Sequence, residues 1–281
     1  MKSKKLLAAV LATMIVVTAV LFVACNNTDD MSKNIYEGNY TTLADEKAVA
    51  QLQTDVQKLA TDNTTTDGKT AALGYRMAVV VKGTTQMQGA KVNVDGTAEG
   101  LVTTDGKNAS MQLTAKVNVT MLNPETNKDE TLFDLNGTAW ADSATNKAYA
   151  DIAVESSGTK MSGKYYADLS QLQGSGSSDV SIDLSEINFD DLVKELQTAL
   201  ADTNTKVYVD GDNKYKIEAT IDGTSFTVYL YKTNDGKLCF KLESTIEKTL
   251  NVSLDLRPTQ DKVKLPENTD EYKKFDGSML G

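Results

Sequence analysis

MQLTAKVNVTML, residues 111–122, alternates as far as Met121. Met111, Leu113, Ala115, Val117, Val119 and Met121 share one parity, and Gln112, Thr114, Lys116, Asn118 and Thr120 share the other. Successive side chains of a strand point to opposite faces, so this run is a strand with one apolar and one polar side. The period of two extends through residues 72–168. KAYADIAVE sets Ala148, Ala150, Ile152 and Val154 on one parity, and GYRMAVVVKG, AKVNVDG, ETLFDLNGTAWAD and GTKMSGKYYADL also read as strands. Asp95-Gly96, Asp105-Gly106 and Asn136-Gly137 favour positive φ and predict tight hairpins, giving roughly seven strands in this block.

Helical spacing flanks the block. TTLADEKAVAQLQTDVQKLATD predicts a helix over 41–60, with Thr42 and Asp45 as a capping box and Val49, Leu52, Val56, Leu59 and Ala60 as one apolar stripe. Asn63 to Gly68 end it. Residues 169–188 form a Gly/Ser-rich connection, and FDDLVKELQTALAD predicts a second helix, closing the 169–202 interval. Asn188 caps that helix, Asp190 and Asp191 suit its positive end, and Phe189, Leu192, Val193, Leu196 and Leu200 make its stripe. Five more strands are expected over 205–257, with hairpins at Asp222-Gly223 and Asp235-Gly236. Pro258 and Pro266 are expected to end the regular structure before a C-terminal tail. The connections inside each block are short, which implies antiparallel neighbours.

A magnitude then bears on the fold class. About twelve strands at ~4.8 Å spacing make a sheet nearly 60 Å wide. Two helices of ~10–12 Å diameter cannot cover one face of such a sheet if it is flat. Residues 41–281 therefore read as one α+β, mostly antiparallel β domain. Its meander is strongly curved into an incomplete β-barrel, with two amphipathic helices at the concave side. The lining is rich in Val, Ala, Met and Leu, while the whole chain has six Phe and one Trp. Small aliphatic side chains round a wide sheet leave space, which implies an apolar cavity suited to acyl chains. Alternation nominates Met77, Val79, Val81, Met111, Leu113, Val117 and Val119 for that lining. From the later strands it adds Ile152, Val154, Phe226, Val228, Leu230 and Leu254. The competing reading is a filled core or a two-sheet sandwich that binds a protein or glycan partner through its surface.

The start of the chain places this domain. Lys2, Lys4 and Lys5 precede an apolar stretch, Leu6 to Ala24, that ends at Cys25. This pattern reads as a bacterial lipoprotein signal peptide, residues 1–24, with Ala24 and Cys25 closing a lipobox and Phe22 standing where Leu is usual. Cys25 would carry the acyl chains that hold the protein on the extracytoplasmic face of the cell membrane. Residues 25–40 read as a tether. Removing residues 1–24, which carry three lysines and no acid, takes the formal charge from −10 to −13. So acidic a body lacks the basic footprint that nucleic acid requires, and it is not drawn as a whole to anionic lipid.

Lipobox, tether, N-terminal helix, long antiparallel meander, helical interruption and final strand block together resemble the LolA/LolB lipoprotein carriers. The LppX/LprG lipid-carrier lipoproteins are similar. The resemblance lies in the order of elements over nearly all of the mature chain, and no short motif transfers an individual binding residue. It implies an incomplete barrel whose concave apolar face holds lipid or acyl chains beneath helices.

Catalytic constellations are missing from the sequence. With no histidine there is neither a Ser-His-Asp or Cys-His arrangement nor an imidazole zinc site. No GxxxxGK[ST] or GxGxxG stretch exists for phosphates. Asp210 and Asp212 have calcium-loop spacing, but Ile221 stands where the ligating glutamate belongs. Cys239 has no partner base and reads as structural. Tyr165 and Tyr166 lie on opposite faces of one strand, so one of them could meet a ligand. A non-enzymatic protein without cofactor is expected, together with an envelope partner that the residues do not specify.

Overall fold

The computed structural model describes residues 31–61, 73–87, 90–104, 108–123, 126–156, 158–169, 205–221, 224–234 and 236–275. Cys25, the Gly/Ser-rich connection beyond residue 169 and the helix expected over 189–202 lie outside the described residues. In chain order the elements are β1 (Thr42–Leu43), α1 (Glu46–Thr61), β2 (Leu73–Met87), β3 (Ala90–Thr104), β4 (Ala109–Asn123), β5 (Lys128–Asp142), β6 (Lys147–Ser156) and β7 (Thr159–Asp168). After these come β8 (Lys206–Asp210), β9 (Lys214–Ile221), β10 (Thr224–Lys232), β11 (Leu238–Ile246), β12 (Leu250–Thr259), a 3₁₀ turn (Thr269–Glu271) and β13 (Lys273–Lys274). They form one sheet in the order β1-β8-β9-β10-β11-β12-β2-β3-β4-β5-β6-β7-β13.

Each block is an antiparallel meander, and the antiparallel pairing of β12 with β2 joins the blocks. Among the described strands only β13 is parallel to its neighbour, β7. The order fits a curved meander, but the sheet is open: β1 and β13 end it at opposite edges. A complete barrel would have paired those edges.

The first block holds six strands rather than seven, because two expected hairpins are strand interior. Asp95-Gly96 lies inside β3 and Asn136-Gly137 inside β5, and alternation runs straight through both. At Gly137 the missing side chain serves close packing, whereas Gly96 leaves ordinary room for a Cβ. A Cβ on Gly137 would sit 2.4 Å from the Asp151 carbonyl oxygen of β6. The β11–β12 turn has no glycine: Glu247 (φ 52°) and Lys248 (φ 64°) form a left-handed pair there. Side chains pay conformational strain there, so Lys248→Gly should raise stability by about 1 kcal/mol, read as a higher urea midpoint at unchanged m-value.

Helix α1 starts later than its sequence suggests. Thr42 is taken into β1, pairing with Val209 of β8. Asp45 becomes the N-cap, its Oδ1 accepting the Ala48 amide at 2.7 Å. The Leu52 and Val56 side chains are fully buried against Met77, Tyr215, Ile217, Leu230, Phe240, Leu254 and Leu256. Pro258 is absorbed into β12 rather than ending it. Beyond Leu256 the strand has lost β11 and keeps only β2, where proline is tolerated.

The β5–β6 turn is held by a buried carboxylate. Asp142 Oδ2 accepts the Thr145 hydroxyl at 2.7 Å and the Thr145 amide at 3.1 Å, and Oδ1 accepts the Ser110 hydroxyl at 2.8 Å. Burial opposes the charge, but these donors win and hold the carboxyl below its usual range. A lowered folded value stabilises above the unfolded pKa of about 3.9 and loses that stabilisation as pH falls through the folded value. The stability gap between wild type and Asp142→Asn should therefore be constant above about pH 5 and close under acid, as urea midpoints against pH would show.

Candidate functional site

Strand parity and register divide the sheet into two chemically distinct faces. The face bearing α1 collects every residue nominated from alternation. Leu254 opposes Val79, Leu256 opposes Met77 and Val252 opposes Val81. From there one row crosses the first block through Val81, Gly96, Val117, Leu135, Val154 and Met161. The next row runs Val79, Ala98, Ala115, Gly137, Ile152, Gly163. The second is built mostly of small residues beside a bulkier first row on the same face. Met111, Leu113 and Val119 of β4 extend it on either side, opposite Ala141, Ala139 and Phe133. Phe226, Val228 and Leu230 of β10 lie on the same face, facing Ser244, Leu242 and Phe240 of β11.

The nominated residues differ in burial. Met77, Val228, Leu230 and Leu254 are buried, and all four belong to the core cluster under α1. They are helix-packing residues in this structure. Val79 and Leu113 pack at the margin of that core, and Val81 packs on Ile246, Leu250 and Val252. Met111, Val117, Val119, Ile152, Val154 and Phe226 are half-exposed. Thus α1 covers the β8–β12 end of the face, and over β4–β7 the apolar side chains remain partly open to solvent among the described residues. Phe133, Leu135 and Met161 share this face without being nominated: their parity is readable, but the hairpin expected at Asn136-Gly137 interrupts the alternation of β5. Tyr165 is the tyrosine that meets the face. Its ring lies 6.3 Å from Phe275, whereas Tyr166 turns away under the Lys147 ammonium.

The other face is polar and carries two segments of irregular chain. Residues 31–40, expected as the end of a tether, are fastened to it. Tyr36 is 2% exposed and its hydroxyl donates to Asp255 Oδ1 at 2.8 Å. Arg257 holds Asp255 Oδ2 at 2.7 Å, donates to the Lys33 carbonyl at 2.7 Å and lies over the Tyr36 ring. Tyr40 donates to the Tyr36 carbonyl and packs edge-on against Tyr229. Burial, and then the neighbouring Asp255 carboxylate, push the Tyr36 hydroxyl well above its ordinary value, and burial pushes Tyr40 to about 12. Both remain donors at any physiological pH. Cys239 is fully buried on this face, as expected of a structural thiol.

The second segment, 260–275, crosses from β12 to the far edge. Asp261 pairs with Arg76, Glu271 with Lys164, Tyr272 packs edge-on against Tyr149 at 5.4 Å, and the Phe275 amide donates to the Tyr166 carbonyl. Beneath its start lies a groove of about 670 Å³ bordered by Met31, Arg76, Thr97, Glu99, Gln112, Lys116, Asn136, Lys262 and Lys264. Smaller hollows of about 410 Å³ and 220 Å³ also line the polar face.

No protein-family model and no curated protein matches the chain. The geometry must carry the reading. Among the described residues no group of three or more His, Cys, Asp or Glu side chains could hold a metal ion, and no helix is long and apolar enough to cross a membrane. What the site offers chemically is dispersion and exclusion of water over a wide aliphatic surface, with no polar group aimed into it from the strand rows named above.

Proposed function

We propose that this protein is a membrane-anchored lipoprotein that binds or carries lipid, or another apolar ligand, on the apolar face of β3–β7, without catalysing a reaction. The single observation behind the reading is that face itself: alternate residues of consecutive strands are aliphatic, yet α1 covers only the opposite end of the sheet. Soluble proteins rarely leave a contiguous apolar patch of this kind without a partner for it. The resemblance to the LolA/LolB and LppX/LprG carriers supports the same ligand class. In this reading the sheet is a half-barrel and residues 189–202 form the second amphipathic helix at its mouth. Cys25 supplies the acyl anchor, after removal of residues 1–24, on the extracytoplasmic face of the membrane.

Titration of the purified protein with a fluorescent fatty acid tests this. The expected result is saturable emission enhancement at near-stoichiometric ligand. A protein that leaves the probe's emission unchanged at all concentrations is not a carrier of acyl chains.

The second reading is a surface interaction lipoprotein with a filled interior. One observation favours it: all three hollows named above lie on the polar face. It expects capture of a protein or glycan partner and no bound lipid.

A further inference from the structure

We propose that the groove under residues 260–265 binds the phosphate headgroups of anionic phospholipid in the membrane that carries the anchor. The inference rests on the reading of Cys25 as lipidated.

Charge is the first argument. Arg76, Lys116, Lys262 and Lys264 border the groove against two carboxylates, Glu99 and Asp261. Asp261 is already held by Arg76 and Glu99 offsets one lysine, so the exposed Lys116, Lys262 and Lys264 leave a net excess of two positive charges. Without residues 1–24, which carry three lysines and no acid, the chain's formal charge of −10 becomes −13, so this excess runs against the whole molecule. The side chains of Thr97, Gln112 and Asn136 add hydrogen-bonding groups at the same rim. A pocket of about 670 Å³ lies within the size range of small-molecule sites.

Position is the second argument. Met31 lines the groove, and Cys25 precedes it by six residues. Six residues reach about 20 Å at full extension, so a lipidated Cys25 keeps the groove within that distance of the headgroup layer. The rest of the acidic surface is repelled by an anionic bilayer while the groove is drawn to it. The contact therefore orients the body rather than attaching it. With the polar face toward the bilayer, the apolar face points away, toward whatever brings or receives the cargo.

Trp140 reports this orientation without labelling. It is the only tryptophan in the chain and stands on the polar face opposite Gln112 of the groove. The lipidated full-length protein would be reconstituted in phosphatidylcholine vesicles, with or without phosphatidylglycerol, containing a dansyl-headgroup lipid. Energy transfer from Trp140 should be greater in the phosphatidylglycerol vesicles and should fall to the phosphatidylcholine level in high salt. Lysines near a charged surface contribute about fivefold each, so K116E/K262E/K264E should shift the orientation equilibrium by roughly a hundredfold and abolish the difference. These exposed lysines are not part of the core, so thermal unfolding of the variant checks that the fold is intact. Protein that stays with both kinds of vesicle but transfers equally in each overturns the groove. Protein that washes off both overturns the anchor on which the proposal rests.

Discussion

Arg257→Ala should cost about 3–5 kcal/mol of stability, the largest loss expected of any single substitution on the polar face. Arg257 is 2% exposed and contacts the buried carboxylate of Asp255, the Lys33 carbonyl and the Tyr36 ring. Truncation leaves the buried Asp255 side chain without its cationic partner and with the Tyr36 hydroxyl as its remaining side-chain donor. It also removes the donor to the Lys33 carbonyl and the cation over the Tyr36 ring, which loosens residues 31–41 on the sheet. Two readouts follow: a lower urea midpoint, and faster proteolysis within residues 31–41 at denaturant concentrations where the sheet is still folded. The paired variant Arg257→Ala/Asp255→Ala should lose less than the sum of its single changes, because no uncompensated charge remains. A loss below about 1 kcal/mol for Arg257→Ala would mean that the pair behaves as a solvated surface contact.

The second large effect is on binding. Val117→Asp should lower fatty-acid affinity at least thirtyfold, about 2 kcal/mol, because a bound acyl chain would strip water from an unpaired carboxylate. The free protein should tolerate the change. Val117 is half-exposed and stands between Gly96 and Leu135 on the open part of the face, so the carboxylate stays hydrated until a ligand arrives. Ala153→Asp is the control: Ala153 is exposed on the polar face of β6, paired with Asn136 and Ser162. It should leave uptake unchanged. Equal uptake by wild type and Val117→Asp would place the ligand elsewhere.

The strands were legible because alternation is a local signal, and parity within a strand survives errors in its boundaries. That is why residues as far apart as Met77, Val117, Ile152 and Leu230 could be assigned to one face before any pairing was known. Turn signals were less reliable. Asp95-Gly96 and Asn136-Gly137 look like hairpins in isolation, but both lie inside continuous strand pairings, and at Gly137 the neighbouring β6 uses the missing side chain for close approach. Conversely, Glu247 and Lys248 adopt left-handed φ because the β11–β12 register leaves them no alternative, and nothing in their identities announces it.

Features built from distant residues were not legible. The β12–β2 pairing joins positions some 170 residues apart in the chain, and no local pattern encodes it. Tyr36 and Tyr40 sit in a polar stretch whose anchoring depends on Asp255, Arg257 and Tyr229. The cationic groove gathers Arg76, Lys116, Lys262 and Lys264 from three separate regions, while net charge sums over the whole chain and conceals it. The candidate site divides the same way. Its apolar composition was readable, but the division into a part filled by α1 and a part left open needed the helix in place.

The apolar face has its most direct test in native mass spectrometry of the protein purified from its own membrane. The expected spectrum contains, beyond the lipid-modified chain, a second population heavier by one non-covalently held lipid, which disappears in Val117→Asp. A single population at the mass of the lipid-modified chain, unchanged on incubation with lipid vesicles, would contradict a lipid-binding face.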